Sequence, residues 1–287
     1  LKNKKKMDLK EAVDQYIKDG SLLAFSGNVL HRAPMGFIRE IVRQGKKNLE
    51  VVKTAAAMDV DLLCAFGLVK TVHAGFVSYE TKYGLATHYR RGVESGIIQG
   101  NEHACYTVIC ALRGATMNVP FMPVHGLQYG GLLHENDYFM VVENPFEQET
   151  AEPVTLVKTL KPHVAVIHVQ VCDEEGNAII EGAKYEDALI SRAADKVIIT
   201  AERVVPAGQL KFQKDKIVIP GFLTEAVVEM PKGAAPCSCE GKYDVNHRDI
   251  KAFTEADSTD QLKKWVASYE KQDHGRSYTD RQRGVKS

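Results

Sequence analysis

Residues 21–54 read SLLAFSGNVLHRAPMGFIREIVRQGKKNLEVVKT, and the order of chemistry within them decides the fold. SLLAFS is an apolar run of strand length. Pro34 stands where a helix opens, Phe37, Ile38, Ile41 and Val42 recur at helical spacing, and Gly45 closes the segment. A second apolar run, LEVVKT (49–54), follows at once. Strand, loop, helix and strand in so short a span make a βαβ unit, whose two strands lie parallel.

The same rhythm continues on both sides. Upstream, Asp8 and Glu11 form a capping-box pattern ahead of Leu9, Ala12, Val13, Tyr16 and Ile17, with Gly20 as the stop. Downstream, the pattern predicts a short helix over 59–67, a strand over 69–76, a helix over 85–94, a strand over 97–100 and a helix over 103–113. Residues 118–163 are rich in Pro and Gly and read as irregular. VAVIHVQV (164–171), a turn over 173–178, a helix near 185–194 and the strand KVIITAE (196–202) come next. Two short strands within 216–230 and a helix near 260–270 around Trp265 end the series. These elements predict an α/β fold: an open, mostly parallel sheet with helices on both faces. One continuous domain is expected over residues 8–272, with 1–7 and 273–287 as terminal extensions and the basic opening LKNKKKMDLK as a frayed end.

Composition narrows the function classes. Lys plus Arg equals Asp plus Glu at 37 each, so no net field favours nucleic acid or an anionic membrane. No apolar run is long enough to span a bilayer. The cysteines at 64, 105, 110, 172, 237 and 239 are scattered and mostly flanked by apolar residues, as buried reduced thiols are. A cytoplasmic globular protein is the expectation.

Three places could hold chemistry. Ser26, Gly27 and Asn28 follow a strand and precede a helix, where open α/β sheets bind ligands. There Gly27 would let a backbone N–H approach a carboxylate or thioester oxygen, and Asn28 would add an amide donor; plain turn chemistry is the alternative. GNEHACY (100–106) sets Glu102 at a second strand-to-helix junction, either as general base or anchor, or with Asn101 as a helix cap. QYGG (128–131) supplies a further glycine loop. Cys237 and Cys239 lack a second ligand pair, His247 being the nearest histidine, so no metal site is assigned. His73 and His168 lie within apolar strands, as core or pocket-wall residues. G-x-S-x-G, P-loop and dinucleotide-binding glycine motifs are missing.

In order along the chain, SGNVLHRAPMGFIREIVRQGKKNLEVV, AAAMDVDLLCAFGLVKTVHAGFVS, NVPFMPV, ENPF, LKPHVAVIHVQVCDEEGNA, AADKVIITAERVVP and MPKGAAPCSCEGKYD match one set of landmarks. The chain resembles the α (A) subunit of family I coenzyme A transferases, most closely that of the glutaconate CoA-transferase group. It is also similar to the corresponding α-type subunit of the steroid-ring-opening CoA-thioester hydrolases. The resemblance covers about residues 8–270. It implies a ribose-phosphate isomerase-like open sheet, a β-type partner chain in an α2β2 or larger hetero-oligomer, and an active site at the junction of the two chains. It implies coenzyme A and acyl-CoA as substrates, with no permanently bound cofactor or metal and no nucleic-acid or membrane partner.

The family's nucleophilic glutamate lies on the β chain, and its Ser-Glu-Asn-Gly motif is not found here. Glu143-Asn144 falls at the α subunits' own Asn-Pro-Phe step, so this chain alone is expected to be inactive as a transferase. By resemblance, Ser26, Gly27, Asn28, Arg32, Ser78, Glu80, Gln128 and Gly130 line the substrate site. Gly27 and Asn28 stand where the family has a second Gly and Phe, which makes the site more polar. Ala55, Ala56, Ala57 and Met58 replace glycines before Asp59. Glu80 replaces a hydroxyl residue that receives the distal carboxylate in glutaconate enzymes, and an acidic group would repel that carboxylate. The ring-opening hydrolases carry an acid there and a glutamate at 102, so a hydrolase subunit with Glu102 as acid/base is the second reading. A non-catalytic binding chain is the third.

Overall fold

The computed structural model describes residues 5–127, 131–133, 136–146 and 152–275. In the first half these form α1 (Leu9–Tyr16), β1 (Leu22–Phe25), α2 (Met35–Gln44), β2 (Leu49–Ala56), α3 (Met58–Ala65), β3 (Val69–Val77), α4 (Glu80–Tyr83), α5 (Thr87–Glu94), β4 (Gln99–Glu102) and α6 (Cys105–Met117). The next elements are β5 (Phe121–Val124), β6 (Phe139–Val142), β7 (Val154–Lys158), β8 (Val164–Asp173), β9 (Ala178–Ile179) and α7 (Asp187–Ala193). The last are β10 (Lys196–Val205), β11 (Ile217–Ile219), β12 (Thr224–Glu229), α8 (His247–Thr254), α9 (Thr259–Ser268) and α10 (Glu270–Asp273).

Alternation along the strands builds two cores. β1 turns Leu23 and Phe25 to one face of the sheet and Leu22 and Ala24 to the other; β8 does the same with Val164 and Val166 against Ala165, Ile167 and Val169. Both faces are apolar, so both must be covered. α1, α2, α3, α8 and α9 bury Val13, Phe37, Leu62, Ile250 and Leu262 on the first face, and α6 and α7 bury Val108 and Ile190 on the second. The parallel order is β12-β10-β8-β1-β2-β3-β4, with β9 antiparallel to β8 and β11 antiparallel to β9. Strand order therefore reverses between β1 and β8, the switch point at which open sheets leave a crevice beyond the carboxyl ends.

Several expectations need correction. Residues 118–163 hold a small antiparallel sheet of order β5-β7-β6 that lies outside the main sheet. The strand expected over 97–100 lies at Gln99–Glu102, and α8 was not foreseen. Asp8 takes an extended N-cap backbone but makes no side-chain capping bond, so the capping box does not form. Residues 5–7 are not frayed: Val227 N–H donates to Lys5 O at 2.8 Å and Met7 N–H to Val227 O at 3.0 Å, extending the β12 edge.

The other end is anchored more firmly. Arg39 of α2 is fully buried, and its Nε and Nη2 meet Asp273 Oδ2 and Oδ1 at 2.7 and 2.6 Å. Arg43 adds Nη2 to Asp273 Oδ2 at 2.7 Å, and the Arg39 guanidinium stacks 3.9 Å over the Tyr269 ring. Residue 273 thus belongs to the core.

Candidate active site at the carboxyl edge of the sheet

At the switch point the chain leaves β1 as Ser26-Gly27-Asn28, and each residue is fixed by its surroundings. Ser26 is fully buried; its Oγ accepts from His168 N–H at 2.9 Å and donates to Arg32 O at 3.0 Å. Gly27 has φ +77°, and a Cβ there would lie 2.0 Å from His31 O, so the Asn28–His31 turn folds down where only hydrogen fits. Val29 and Arg32 also have positive φ, at 49° and 55°. For a β-branched residue such a conformation is an outlier that persists only when neighbours over-determine it.

Two buried ion pairs do so. Arg32 pairs with Asp187 at the start of α7, and its guanidinium also donates to His168 O at 2.8 Å and Ala183 O at 3.0 Å. Lys53 of β2 pairs with Asp59 of α3 and donates to Ser26 O at 3.0 Å. Asp59 Oδ1 accepts the amides of Ala57 and Val60. Burial raises the Asp187 carboxyl above its usual range even with the guanidinium alongside.

This arrangement redirects two expectations. Arg32 faces inward, its guanidinium engaged by backbone oxygens and Asp187, so it supports the loop rather than facing a ligand. The Gly27 N–H donates to Asp187 Oδ1 at 3.1 Å instead of standing free for a thioester oxygen. Ser26→Ala is expected to cost about 1–3 kcal/mol, because it leaves the buried His168 amide without an acceptor. A urea midpoint unchanged from wild type would contradict this.

The other predicted residues lie along the same carboxyl edge. Ser78 and Glu80 share the turn after β3: Ser78 Oγ accepts from Glu80 N–H at 3.2 Å and donates to Gly84 O at 2.8 Å, while Glu80 is exposed at φ 60°. Asp61 of α3 anchors this segment, accepting Tyr89 N–H at 2.8 Å and Tyr79 O–H at 3.1 Å. Burial pushes the Asp61 carboxyl up to about 6, although those bonds pull it down. Glu102 ends β4, exposed, three strands from β1 and so roughly 14 Å across the sheet. Neither it nor Asn101 caps α6: the N-cap is Ala104, and Asn101 Nδ2 meets His73 Nδ1 at 3.2 Å. Asn136 Nδ2 holds the Glu102 carbonyl at 2.6 Å. Gln128 and Gly130 lie outside the described residues.

Lys53, Asp59, Asp61 and Asp187 were not singled out as site residues. The signal available was charge inside apolar runs, in LEVVKT and MDVDLLCA. Cys239 approaches His168 and Glu202, the three ligand atoms lying within 4.8 Å of one another. His168 and Glu202 are already satisfied, by each other at 2.9 Å and by Thr200 Oγ1 and Lys232 N–H at 2.9 and 2.8 Å. His247 is remote from this group in its bonding, contacting Tyr83 and Lys82. Cys105 is exposed, against the expectation of buried thiols, while the remaining five are buried.

The coenzyme A transferase family profile matches residues 6–230. This chain belongs to the coenzyme A transferase family. It is 29% identical to the α (A) subunit of glutaconate CoA-transferase from Acidaminococcus fermentans, over 94% of this chain and 89% of that one. It is 27% identical to the cholesterol ring-cleaving hydrolase IpdA subunit of Rhodococcus jostii, over 93% and 92%. An uncharacterized protein of Archaeoglobus fulgidus is 33% identical over 91% of this chain, which spans only 59% of that relative's length. The crystal structure of the Acidaminococcus glutaconate coenzyme A-transferase superposes with a TM-score of 0.88 at 26% identity, covering 99% of this chain and 93% of that one. The decarboxylase AibA/AibB superposes at 0.83 with 28% identity, covering 93% and 99%. The open, mostly parallel sheet is thus the architecture of a coenzyme A transferase chain. Among the described residues no helix is long and apolar enough to cross a membrane.

Proposed function

We propose that this chain is the α subunit of a heteromeric CoA-transferase, which moves coenzyme A between a thioester and a free carboxylic acid together with a β-type partner. The family match, which spans the whole switch point, carries this reading. The loop at 26–32, braced by two buried ion pairs, is the wall this chain contributes. In the reaction a partner glutamate attacks the thioester carbonyl, the C–S bond breaks, and CoA thiolate leaves an acyl-glutamyl anhydride. The thiolate then attacks the glutamyl carbonyl, expelling the donor acid as carboxylate and leaving a glutamyl-CoA thioester. The acceptor carboxylate repeats the two steps in reverse. Each step exchanges one activated acyl bond for another, so neither ATP nor metal is required. Sodium borohydride added to the co-expressed complex with an acyl-CoA should inactivate it stoichiometrically, with the reduced side chain mapping to the partner's glutamate. Failure to trap, in a complex that still exchanges CoA, sinks the covalent route.

A second reading has its own support. Glu102 is solvent-facing and free of a capping role, and IpdA subunits are among the relatives. A hydrolase would use its carboxylate to take a proton from water or from an enolisable cyclic diketone thioester. Glu102→Gln is then expected to lower CoA release without an acceptor acid by about 10²–10⁴-fold. In a transferase the same variant should keep acceptor-dependent exchange within tenfold of wild type.

A further inference from the structure

We propose that Asn28 is the residue of the switch-point loop that discriminates between acyl groups, with Asp187 as its positioning residue. The inference rests on the acyl-CoA reading above and names the substrate class the loop prefers.

The backbone of the loop offers a ligand little. The amides of Ser26, Gly27, Asn28 and Val29 donate to Val166 O at 3.0 Å, Asp187 Oδ1 at 3.1 Å, His31 O at 2.9 Å and Ala55 O at 3.2 Å. A glycine at φ +77° beside a ligand crevice would otherwise be free to turn its N–H outward. Here a carboxylate 1% exposed holds that N–H inward, and the carboxylate is itself held by Arg32. His31, the other polar side chain on the outer turn, is engaged through Nδ1 by Ser238 Oγ at 2.7 Å. Asn28 is half-buried, and among the described residues its carboxamide has no partner.

A carboxamide is neutral and offers both donors and an acceptor. Facing an acyl chain, it rewards a hydroxyl or keto oxygen and leaves an unmatched polar group against a plain alkyl chain. The preferred substrates are therefore thioesters whose acyl chain carries a neutral oxygen substituent. Asp187 acts only through the loop: with its carboxylate gone, the Gly27 amide is released, the turn relaxes and Asn28 loses its fixed direction.

The test compares kcat/KM for 3-hydroxybutyryl-CoA, acetoacetyl-CoA and butyryl-CoA in the complex with the partner chain. Asn28→Ala leaves the backbone bond to His31 intact. It should lower the ratio of oxygenated to plain substrate by roughly 5- to 150-fold. An unchanged ratio, or a parallel fall for all three thioesters, overturns the proposal. Positioning is tested with Arg32→Met and Asp187→Leu combined, which removes both buried charges so that neither is left unpaired. The pair should bring the ratio down to the Asn28→Ala value and add nothing in the Asn28→Ala background. A merely structural loss lowers every thioester equally and leaves the ratio where it was, which overturns the role of Asp187. No turnover of any thioester by the wild-type complex fails the acyl-CoA reading itself and takes the inference with it, an outcome distinct from a flat ratio.

Discussion

Asp273→Ala is expected to destabilise the protein by about 3–5 kcal/mol, a large part of the total for a chain of this size. The reason is Arg39. It is 0% exposed, both prongs of its guanidinium end on the Asp273 carboxylate, and removal of that carboxylate leaves a cation in the apolar layer beneath α2. Arg43 and the remaining contact to Ala235 O at 2.7 Å replace none of the lost negative charge. Truncation after residue 272 should cost as much, whereas truncation after 275 should spare the pair. Chemical denaturation at pH 7 checks all three. A truncated chain as stable as its parent would mean that Arg39 finds water or another acceptor.

Acid is expected to weaken the fold between pH 6.5 and about 3. His73 and His103 are almost fully buried, and burial pushes them down to about 3 and about 4. Their rings pack on Tyr138, and neither Nε2 has a hydrogen-bond partner. Thr107 Oγ1 donates to Ala104 O at 2.9 Å, so it accepts from His103 Nδ1–H and leaves Nε2 as a bare lone pair. The Glu50 carboxylate stands 3.7 Å from His73 Nε2 but is one-third exposed, and burial outweighs it.

The folded values lie below the unfolded value near 6.5, so the unfolded chain binds protons first as pH falls. Stability is full above 6.5, declines through the interval and levels below the folded values. At pH 5 each histidine costs about 2 kcal/mol, about 4 together. Asp61 works in the opposite direction: its folded value near 6 lies above the unfolded one, so protonation in the folded state returns about 1 kcal/mol. These three groups together give a loss of about 3 kcal/mol from pH 7 to pH 5. Urea midpoints at the two pH values measure it, and His103→Leu should remove about half of the histidine contribution. A midpoint independent of pH, with unfolding otherwise two-state, excludes the mechanism.

Much of the parallel half was legible in the sequence because its signals are local. The Pro34 opening, the Phe37–Val42 spacing and the Gly45 stop are confirmed by α2 at Met35–Gln44, with Gly45 in the left-handed conformation. The small sheet was not legible, since its register joins Phe121 to Lys158 and its strands carry Pro123 and short, half-exposed runs. α8 opens on Asn246, which accepts Asp249 N–H, but it buries only Ile250 and Phe253, one pair three residues apart that leaves no apolar stripe to read. At the site the loop was visible as Ser26-Gly27-Asn28, but the carboxylate that turns Gly27 inward lies 160 residues away. No spacing pattern reports that neighbour; only the pairing of β1 with β8 brings α7 beneath the loop.

The seam between β1 and β8 also bears on how the chain is made. β1 gains its first neighbour, β2, after a single helix, but its other edge waits for Val164–Val166. A ribosome delivers residues 26–163 before that edge can close, and Val227, which fastens residues 5–7, emerges later still. This wholly apolar strand is therefore open on one side through most of translation, the interval in which holding chaperones recognise such edges. Slower elongation after residue 163 would lengthen that exposure, whereas slower elongation before residue 100 would give β1, β2 and β3 time to zip together first.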